Sequence, residues 1–211
     1  MYYICERIFT NVILVVMVIE ITERQQQIIN MSLELISESG IQSLTIKNLA
    51  KKIGFAESAI YRHYANKVQI LLAILEFFKQ YTESFFLNEL NSSDTAINKI
   101  YHLFTNHFKK FAASPSLVSV IFSEEIFRNE KELSEKVSEI VNKNLLVLKT
   151  IIETGQENGE LRNDVEAEQL AVIVMGSLRL FVKQWQMSNY SFSLEKKGNA
   201  LSNTIKTLLV L

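Results

Sequence analysis

Basic side chains are concentrated in one short stretch of the chain, from Gly40 to Ile70. Its basic residues are Lys47, Lys51, Lys52, Arg62 and Lys67. The stretch contains one acid, Glu57, so its formal charge is +4. The whole chain carries −1, and the rest of the chain therefore carries −5. Clustered cations bind phosphates because contact releases the counterions that surround a nucleic acid. The stretch therefore favours binding of a nucleic-acid backbone, although a solvated pair of helices would explain Lys51 and Lys52 alone.

The spacing of apolar residues predicts the elements that position these cations. Thr45 is a favoured N-cap, and Gly54 can take the left-handed conformation that ends a helix. The apolar face between them consists of Ile46, Leu49, Ala50 and Ile53. A second helical pattern runs from residue 56 to residue 64. Its inward residues are Ala59, Ile60 and Tyr64. Residues 44–67 therefore predict a helix-turn-helix.

This stretch resembles the DNA-binding domain of the TetR (tetracycline-repressor) family. The residues that match the family's pattern in register are Thr45, Ile46, Leu49, Ala50, Gly54, Phe55, Ser58, Ile60, Tyr61, His63, Tyr64, Lys67 and Ile70. One position departs from the pattern, since Ala56 stands where the family usually has a serine that caps the second helix. The change removes a capping hydroxyl worth about 1 kcal/mol. The resemblance implies a transcriptional regulator, most often a repressor, that binds double-stranded operator DNA.

The resemblance also implies an all-α fold, with a three-helix helix-turn-helix DNA-binding domain and a larger helical domain for ligand binding and dimerisation. We expect the first domain at residues 22–70 and the second at residues 71–211. The composition agrees, because one proline, six glycines and 48% hydrophobic residues at helical spacing are typical of a helical protein. Thr22 to Gln25 has the form of a capping box that opens the first helix, and Gly40 ends it.

The family's DNA contacts carry over residue by residue. They are Thr45, Tyr61, His63 and Lys67, to which charge adds Lys47. The residues expected to face the major groove are Glu57, Ser58, Ala59 and Arg62. The Arg62 guanidinium can make a bidentate contact to guanine, worth about 1–3 kcal/mol of discrimination. Glu57 also has a simpler explanation, because the helix dipole favours an acid in the first turn.

The larger domain is predicted to contain several long helices. The fourth helix, from Lys67 to about Leu90, is shared with the DNA-binding domain, so a push on its far end can move the recognition helix. A fifth helix is expected over Ile97 to Phe111, and a short sixth helix after Ser114-Pro115. Three more are expected: one at about 130–156 that ends before Gly159, one that begins at an Asp164 cap, and one at about 194–209.

One of these helices differs in kind, because residues 170–182 are apolar on nearly every side and carry one charge, Arg179. Such a helix is buried from more than one direction. In the TetR family the last two helices form a four-helix bundle with a second subunit, so the resemblance implies a homodimer through residues 165–187 and 194–210. The last helix is expected to place Leu201, Ile205, Leu208 and Leu209 on one side. The alternative is a central core helix of a monomer.

Aromatic residues at helical spacing indicate where a ligand could bind in the larger domain. The candidate ligand-binding residues are Phe78, Tyr81, Phe85, Tyr101, Phe104, His107, Phe108, Phe122 and Trp185. They could line an apolar pocket, although aromatic stripes are more often plain core. His107 is the only one of them that ionises near neutral pH. We therefore expect a small apolar effector and no cofactor.

Two other functions fit parts of the sequence. An enzyme could use His102 and His107 for acid–base chemistry, but residues five apart on a helix point in different directions, and no catalytic motif accompanies them. We therefore expect no enzyme. A constitutive DNA-binding dimer would keep the helix-turn-helix and lack a ligand cavity. Cys5 is the single cysteine, and no Cys/His cluster has zinc spacing, so we expect no metal and a reducing cytoplasm.

The N-terminal extension, residues 1–21, contains an apolar run at residues 12–19. This run is too short for a membrane helix, which needs about 20 apolar residues. It also lacks the basic start and the cleavage site of a signal peptide. Since chains of this family usually begin shortly before the first helix, we interpret residues 1–16 as the product of an upstream start, with Met17 as the native one. The alternative is an extra helix that packs on the body.

Overall fold

The computed structural model of the chain describes residues 21–123 and 130–210. Those two ranges form nine α-helices and no β-strand, which confirms the predicted all-α fold. The helices are α1 (Glu23–Ser39), α2 (Ile46–Ile53), α3 (Glu57–Tyr61), α4 (Lys67–Asn91), α5 (Ala96–Ala113), α6 (Pro115–Ile121), α7 (Lys131–Glu157), α8 (Ala167–Met187) and α9 (Leu194–Leu209). A 3-10 turn, Ile41–Ser43, joins α1 to α2. The expectations about the N-terminal extension and Met17 concern residues that lie, except for Ile21, outside the described ranges.

The small helix-turn-helix domain, α1 to α3, is held by the caps that the sequence predicts. The Thr22 hydroxyl accepts from the Gln25 amide at 3.2 Å, and the Gln25 side chain accepts from the Thr22 amide at 3.0 Å, which completes the capping box. Thr45 accepts from the Asn48 amide at 3.1 Å and opens α2. Gly54 ends α2 in the left-handed conformation, at φ 80° and ψ 32°. Local chemistry therefore positions both sides of the turn.

The recognition helix α3 is shorter than predicted, because it ends at Tyr61 and not at Tyr64. The cause lies at the start of α4. Asn66 is extended and its side chain accepts from the Gln69 amide at 3.0 Å, while the Gln69 side chain accepts from the Ala65 amide at 2.8 Å. An N-cap requires a non-helical backbone. The α4 cap therefore stops α3 early, and Tyr64 is buried as an anchor of the following turn.

The larger domain is a bundle in which α4 packs beside α7, α7 beside α8, and α5 against α9. Ion pairs show that α4 and α7 run parallel, because the acidic and basic partners advance together along both helices. In order, the pairs are Glu76 with Lys136, Lys79 with Glu139 at 2.7 Å, and Glu83 with Lys143 at 2.9 Å. The DNA-binding domain contacts this bundle through α1, which packs against both α4 and α6.

The helix α9 packs closely against α5 at Gly198. A Cβ atom at this position would overlap the ring of Phe108, which is itself fully buried. Glycine in a helix interior costs roughly 0.5–1 kcal/mol relative to alanine. Close packing of the two helices is therefore the physical reason for a glycine here.

The predicted cap of α8 is wrong. The helix begins at Ala167, and the residue before it, Glu166, makes no side-chain capping bond. Asp164 instead accepts two hydrogen bonds from the Arg162 guanidinium, both at 2.7 Å. The backbone amide of Arg162 donates to the Leu209 carbonyl at 2.8 Å. A bidentate pair with arginine is stronger than an ordinary capping bond, so Asp164 serves the junction between the α7–α8 loop and the end of α9.

Candidate DNA interface and ligand cavity

The structure places all nine sequence-predicted DNA contacts on the small domain and at the first residue of α4. Seven are exposed, and they are Thr45, Lys47, Glu57, Ser58, Tyr61, Arg62 and Lys67. Ala59 and His63 are half-buried. Lys47 lies in the first turn of α2 and Lys67 begins α4, so both lie at helix N-termini, where the helix dipole also favours phosphate. These surfaces can bind a phosphate backbone.

The basic residues of this domain divide into two kinds. Lys52 is bound within the protein, because its ammonium lies 2.8 Å from Glu38 and 3.6 Å from Glu34 on α1. The hydrogen bond to Glu38 raises the pKa of Lys52. Four others form no ion pair with any residue in the described ranges, and they are Lys47, Lys51, Arg62 and Lys67. Within the stretch 40–70, these four are therefore the unpaired basic side chains that can contact DNA.

Burial of a few residues fixes the orientation of α3. Ile60 is fully buried and Tyr64 nearly so, which turns Tyr61 and Arg62 outward. Ala56 stands at the N-cap of α3 and supplies no side-chain hydrogen bond, as the sequence predicts. Since α3 is only five residues long, tertiary packing and not intrinsic helix stability holds it in place.

A cavity lies inside the larger domain between α4, α5, α6, α7 and α8. Its lining is mostly apolar and consists of Leu75, Phe78, His107, Phe111, Ile121, Phe122, Val137, Ile140, Val141, Asn144, Met175, Leu178 and Arg179. The free volume is about 30 Å³. That is room for about two water molecules and far less than the roughly 300–1,000 Å³ of a typical ligand pocket. A sizeable ligand therefore requires the surrounding helices to move apart.

Three of the nine predicted ligand-binding residues border this cavity, namely Phe78, His107 and Phe122. The other six lie elsewhere. Phe104 and Phe108 are buried core, Phe85 is half-buried, and Tyr101 is exposed. Tyr81 donates to Asn106 at 2.9 Å, and the Trp185 ring nitrogen donates to the Phe192 carbonyl at 2.8 Å.

Sequence reasoning missed the aliphatic walls that α7 and α8 contribute, because their residues have the spacing of ordinary core. It also missed Asn144 and Arg179. Arg179 did carry a signal, since it is the single charge within residues 170–182, the most apolar part of α8. Its guanidinium lies 4.8 Å from the centre of the Phe122 ring, and burial lowers its pKa. A partly desolvated guanidinium of this kind is suited to bind a carboxylate or phosphate.

The short helix α6 is tied at both ends to α8 or to the residues that follow it. At its C-terminal end the Lys183 ammonium donates to the Phe122 carbonyl at 3.1 Å. At its N-terminal side the Tyr190 hydroxyl lies 3.1 Å from the Ser119 hydroxyl and donates to the Pro115 carbonyl at 3.4 Å. α6 therefore borders the cavity at its C-terminal end and packs against α1 of the DNA-binding domain. Lys183 of α8 and Tyr190, which follows α8, hold it in place.

Large apolar residues are exposed along α8. They are Val172, Ile173, Leu180 and Met187, and the neighbouring helices α7 and α9 expose Leu146 and Leu208. Leu180 is 61% exposed, whereas Leu178 on the same helix is 5% exposed and belongs to the core of the subunit. Leu208 likewise differs from Ile205 and Leu209, which are buried. The side of α8 that carries Leu180 is therefore apolar and uncovered within one subunit.

The part of the chain that the structure describes has neither a membrane-spanning helix nor a cluster of metal ligands. No helix there is both long and apolar enough to cross a membrane. No group of three or more His, Cys, Asp or Glu side chains there could hold a metal ion. The two histidines considered for catalysis do not share a site, since His107 is buried beside the cavity and His102 lies on the surface, 3.2 Å from Glu89.

A helix-turn-helix with unpaired surface cations, joined to a helical domain with a buried cavity, defines a ligand-responsive DNA-binding regulator. Residues 28–74 match the family described as bacterial regulatory proteins of the tetR family, and residues 76–211 match the C-terminal region of YsiA-like proteins. The chain belongs to the tetR family of bacterial regulatory proteins, which confirms the resemblance seen in the sequence. It is a transcriptional regulator that binds operator DNA and a small-molecule effector and acts as a dimer.

Several known proteins are similar over most of the chain. The fatty acid metabolism regulator protein of Bacillus subtilis (strain 168) is 27% identical over 188 residues, which are 89% of this chain and 94% of that protein. The nucleoid occlusion factor SlmA of Haemophilus influenzae (strain PittGG) is 22% identical over 184 residues, 84% of each chain.

Two solved structures share the fold. The fatty acid degradation regulator FadR from Bacillus halodurans superposes with a TM-score of 0.76 at 23% identity, covering 90% of this chain and 95% of that one. FadR from Bacillus subtilis in complex with stearoyl-CoA gives a TM-score of 0.72 at 27% identity, covering 88% of this chain and 97% of that one.

Proposed function

We propose that this protein is a repressor that leaves a palindromic operator when a long-chain acyl-CoA binds the cavity between α4 and α8. The observation that carries the proposal is the cavity itself, which combines apolar walls with one guanidinium, Arg179. The similar FadR of Bacillus subtilis was solved in complex with stearoyl-CoA. This ligand class departs from the small apolar effector expected from sequence, because an acyl-CoA combines an apolar chain with a strongly anionic head.

The chemistry of the lining supports this ligand class. Burial of an acyl chain against residues such as Leu75, Ile140 and Met175 contributes about 0.8 kcal/mol for each methylene removed from water. Arg179 offers a cation for a phosphate, at the side of the cavity that Phe122 closes. Because the unliganded cavity is small, the acyl chain binds a state in which the helices stand further apart.

Two connections carry this widening to the DNA-binding domain. α4 borders the cavity with Leu75 and Phe78, and its first residue, Lys67, is a proposed phosphate contact. α6 borders the cavity with Ile121 and Phe122 and packs against α1. A ligand that shifts both helices changes the spacing of the two recognition helices in the dimer. A coupling of about 1–3 kcal/mol would change operator affinity roughly 5- to 150-fold, and the coupling is reciprocal.

On the DNA side, we propose that the nine sequence-predicted residues make the contacts, with phosphates held by the α2 and α4 N-termini and bases read from α3. Residues 22–70 act as the DNA-binding domain and residues 71–211 as the effector and dimer domain. The dimer forms through the exposed apolar sides of α8 and α9, of which Leu180 and Leu208 are part. A two-fold dimer presents two equivalent recognition helices, so the operator is close to palindromic. The protein acts without catalysis, in the cytoplasm.

The test is an operator titration followed by fluorescence anisotropy, with stearoyl-CoA, free CoA and stearate added separately. Stearoyl-CoA is expected to lower operator affinity at least fivefold, while free CoA, which lacks the chain, leaves it unchanged. Mass spectrometry of the purified protein checks independently for a bound acyl-CoA. Equal operator affinity with and without saturating stearoyl-CoA would contradict the proposal.

A further inference from the structure

Two buried polar side chains border the cavity among its apolar walls. Asn144 on α7 and His107 on α5 are each only 6% exposed. Asn144 makes no side-chain hydrogen bond to any residue within 21–123 and 130–210. Buried amides almost always have hydrogen-bond partners, because desolvation without one is costly. Because Asn144 lines the cavity, its amide is available to a polar group that enters there.

The protonation state of His107 is set by its surroundings. Its Nδ1–H donates to the Leu103 carbonyl at 2.9 Å, and burial lowers its pKa, so the ring is neutral near pH 7. In this tautomer Nε2 is a hydrogen-bond acceptor. The ring is surrounded by Phe78, Phe86 and Phe111, whose centres lie 5.5 to 6.4 Å away and which offer no conventional donor. Because His107 also lines the cavity, Nε2 can accept a hydrogen bond from a group that enters there.

We propose that His107 and Asn144 form a neutral polar subsite that holds a carbonyl or hydroxyl group of the effector. The inference rests on the proposed function and adds the means by which the cavity selects among acyl-CoA ligands. The Asn144 amide can donate to a thioester carbonyl, and a hydroxyl on the acyl chain can accept from Asn144 and donate to His107 Nε2. The subsite is distinct from Arg179, which lies against Phe122 and is suited to the charged end of the ligand.

Water competes with the effector for this subsite. A cavity of about 30 Å³ has room for one or two water molecules, which can hydrogen-bond to Asn144 and His107. An effector that displaces this water must replace its hydrogen bonds or lose affinity. The cavity therefore selects effectors that carry a polar group at one position of an otherwise apolar chain.

The experiment combines three ligands with three forms of the full-length protein, and affinity is measured by calorimetric titration. The ligands are hexadecanoyl-CoA, 3-hydroxyhexadecanoyl-CoA and the thioether S-hexadecyl-CoA, which lacks the carbonyl oxygen. The proteins are the wild type, Asn144→Leu and the control Asn142→Leu, whose site is exposed on the same helix. Loss of one neutral hydrogen bond is expected to weaken binding about tenfold.

The outcomes separate the two sources of the polar group. Suppose first that the thioester carbonyl occupies the subsite. The wild type and Asn142→Leu then bind the thioether about tenfold more weakly than they bind hexadecanoyl-CoA, whereas Asn144→Leu binds the two ligands equally. If a chain hydroxyl occupies it, the 3-hydroxy ligand binds about tenfold more tightly to the wild type and this gain disappears in Asn144→Leu. Ligand preferences that are identical in the wild type and in Asn144→Leu would overturn the inference.

Failure of the proposed function gives a different result, because the wild type would then bind none of the three ligands, and the inference would fall with it. Asn144→Leu is expected to melt at a higher temperature than the wild type without ligand, since an apolar side chain replaces an amide that only water satisfies. If this variant does not fold, Asn144→Ala takes its place, and the thioether comparison on the wild type alone still tests the carbonyl.

Discussion

The hydroxyl of Tyr190, just beyond the end of α8, lies 3.1 Å from the hydroxyl of Ser119 on α6. The backbone is strained to place it there, because Asn189 and Tyr190 have φ values of 51° and 59°, in the left-handed region that few non-glycine residues adopt. The Trp185 ring packs against Tyr190 with centroids 4.7 Å apart. The contact between Tyr190 and Ser119 therefore holds α6 in the position in which the cavity is small.

Tyr190→Phe is therefore expected to favour the widened state. We predict tighter binding of stearoyl-CoA and weaker binding of operator DNA, each by about 2- to 12-fold, the range that one hydrogen bond supplies. Tyr81→Phe is the matched control, because Tyr81 is equally exposed, at 36%, and joins α4 to α5 without touching α6. Unchanged affinities for both ligands in Tyr190→Phe would remove the α8–α6 link from the mechanism.

The second prediction concerns phosphate contacts. Lys67→Ala is expected to weaken binding to every duplex sequence and to reduce the slope of log affinity against log salt by about one. Lys52→Ala removes the same formal charge from the same domain, but Lys52 is already paired with Glu38, so its salt slope should remain that of the wild type. A salt titration by anisotropy measures both. Equal slopes for Lys67→Ala and the wild type would place the DNA elsewhere.

The third prediction concerns the dimer. Leu180→Asp is expected to give a folded monomer, because Leu180 is exposed in the subunit and a charge there would be buried without a partner in the dimer. Phe77→Asp places the same charge on another exposed apolar residue, on α4, and should remain dimeric. Light scattering at micromolar concentration distinguishes them. A dimeric Leu180→Asp would show that this side of α8 lies outside the interface.

The fourth prediction follows from the ion pairs between α4 and α7. The hydrogen bond from Lys79, with support from Lys136, lowers the pKa of Glu139 to about 2 from an ordinary value of 4.5. The stabilisation is fully present above pH 4.5 and is lost as the pH falls towards 2. Since the Glu139 side chain is 39% exposed, solvent screening keeps the effect modest.

Glu139→Gln should accordingly lower the melting temperature at pH 7 and reduce the drop in melting temperature between pH 5 and pH 2. Glu132→Gln is the control, because Glu132 is exposed on the same helix and forms no ion pair with a residue in the described ranges. Circular dichroism melts across this range provide the measurement. Parallel pH profiles for Glu139→Gln and the wild type would contradict the assignment.

The fifth prediction concerns a hydroxyl that reduces stability. The Tyr64 side chain is buried after α3, and its oxygen has no hydrogen-bond partner among the described residues. Burial also raises the pKa of Tyr64, so the phenol stays neutral. An unsatisfied buried hydroxyl costs about 1–3 kcal/mol, and Tyr64→Phe should therefore raise the melting temperature and leave operator affinity unchanged. A fall in melting temperature would show that the hydroxyl does have a partner.

The helix boundaries were predictable where one residue and its near neighbours decide them. Thr22, Thr45 and Gly54 cap helices through contacts within five residues, and α9 has the predicted bounds. Asp164 could not be assigned in this way, because its partner Arg162 competes for the carboxylate. The short α3 likewise depends on a cap that belongs to the next helix, at Asn66.

The cavity was less predictable than the DNA-binding surface. The proposed DNA-binding residues belong to one local motif, whereas the cavity wall is assembled from five helices spread along the chain from α4 to α8. Phe78 and Phe104 have the same type and the same helical spacing, yet one borders the cavity and the other fills the core. The packing of α7 and α8 decides which phenylalanine borders the cavity and which lies in the core. The periodicity of α4 and α5 contains no information about that packing.

The contact between Gly198 and Phe108 has a consequence for how this protein can diverge. Any side chain at position 198 would overlap the aromatic ring, so position 198 cannot enlarge by a single substitution while position 108 keeps a phenylalanine. Relatives with a larger residue at 198 should carry a smaller one at 108. The two positions, 90 residues apart in sequence, are expected to evolve as a compensating pair.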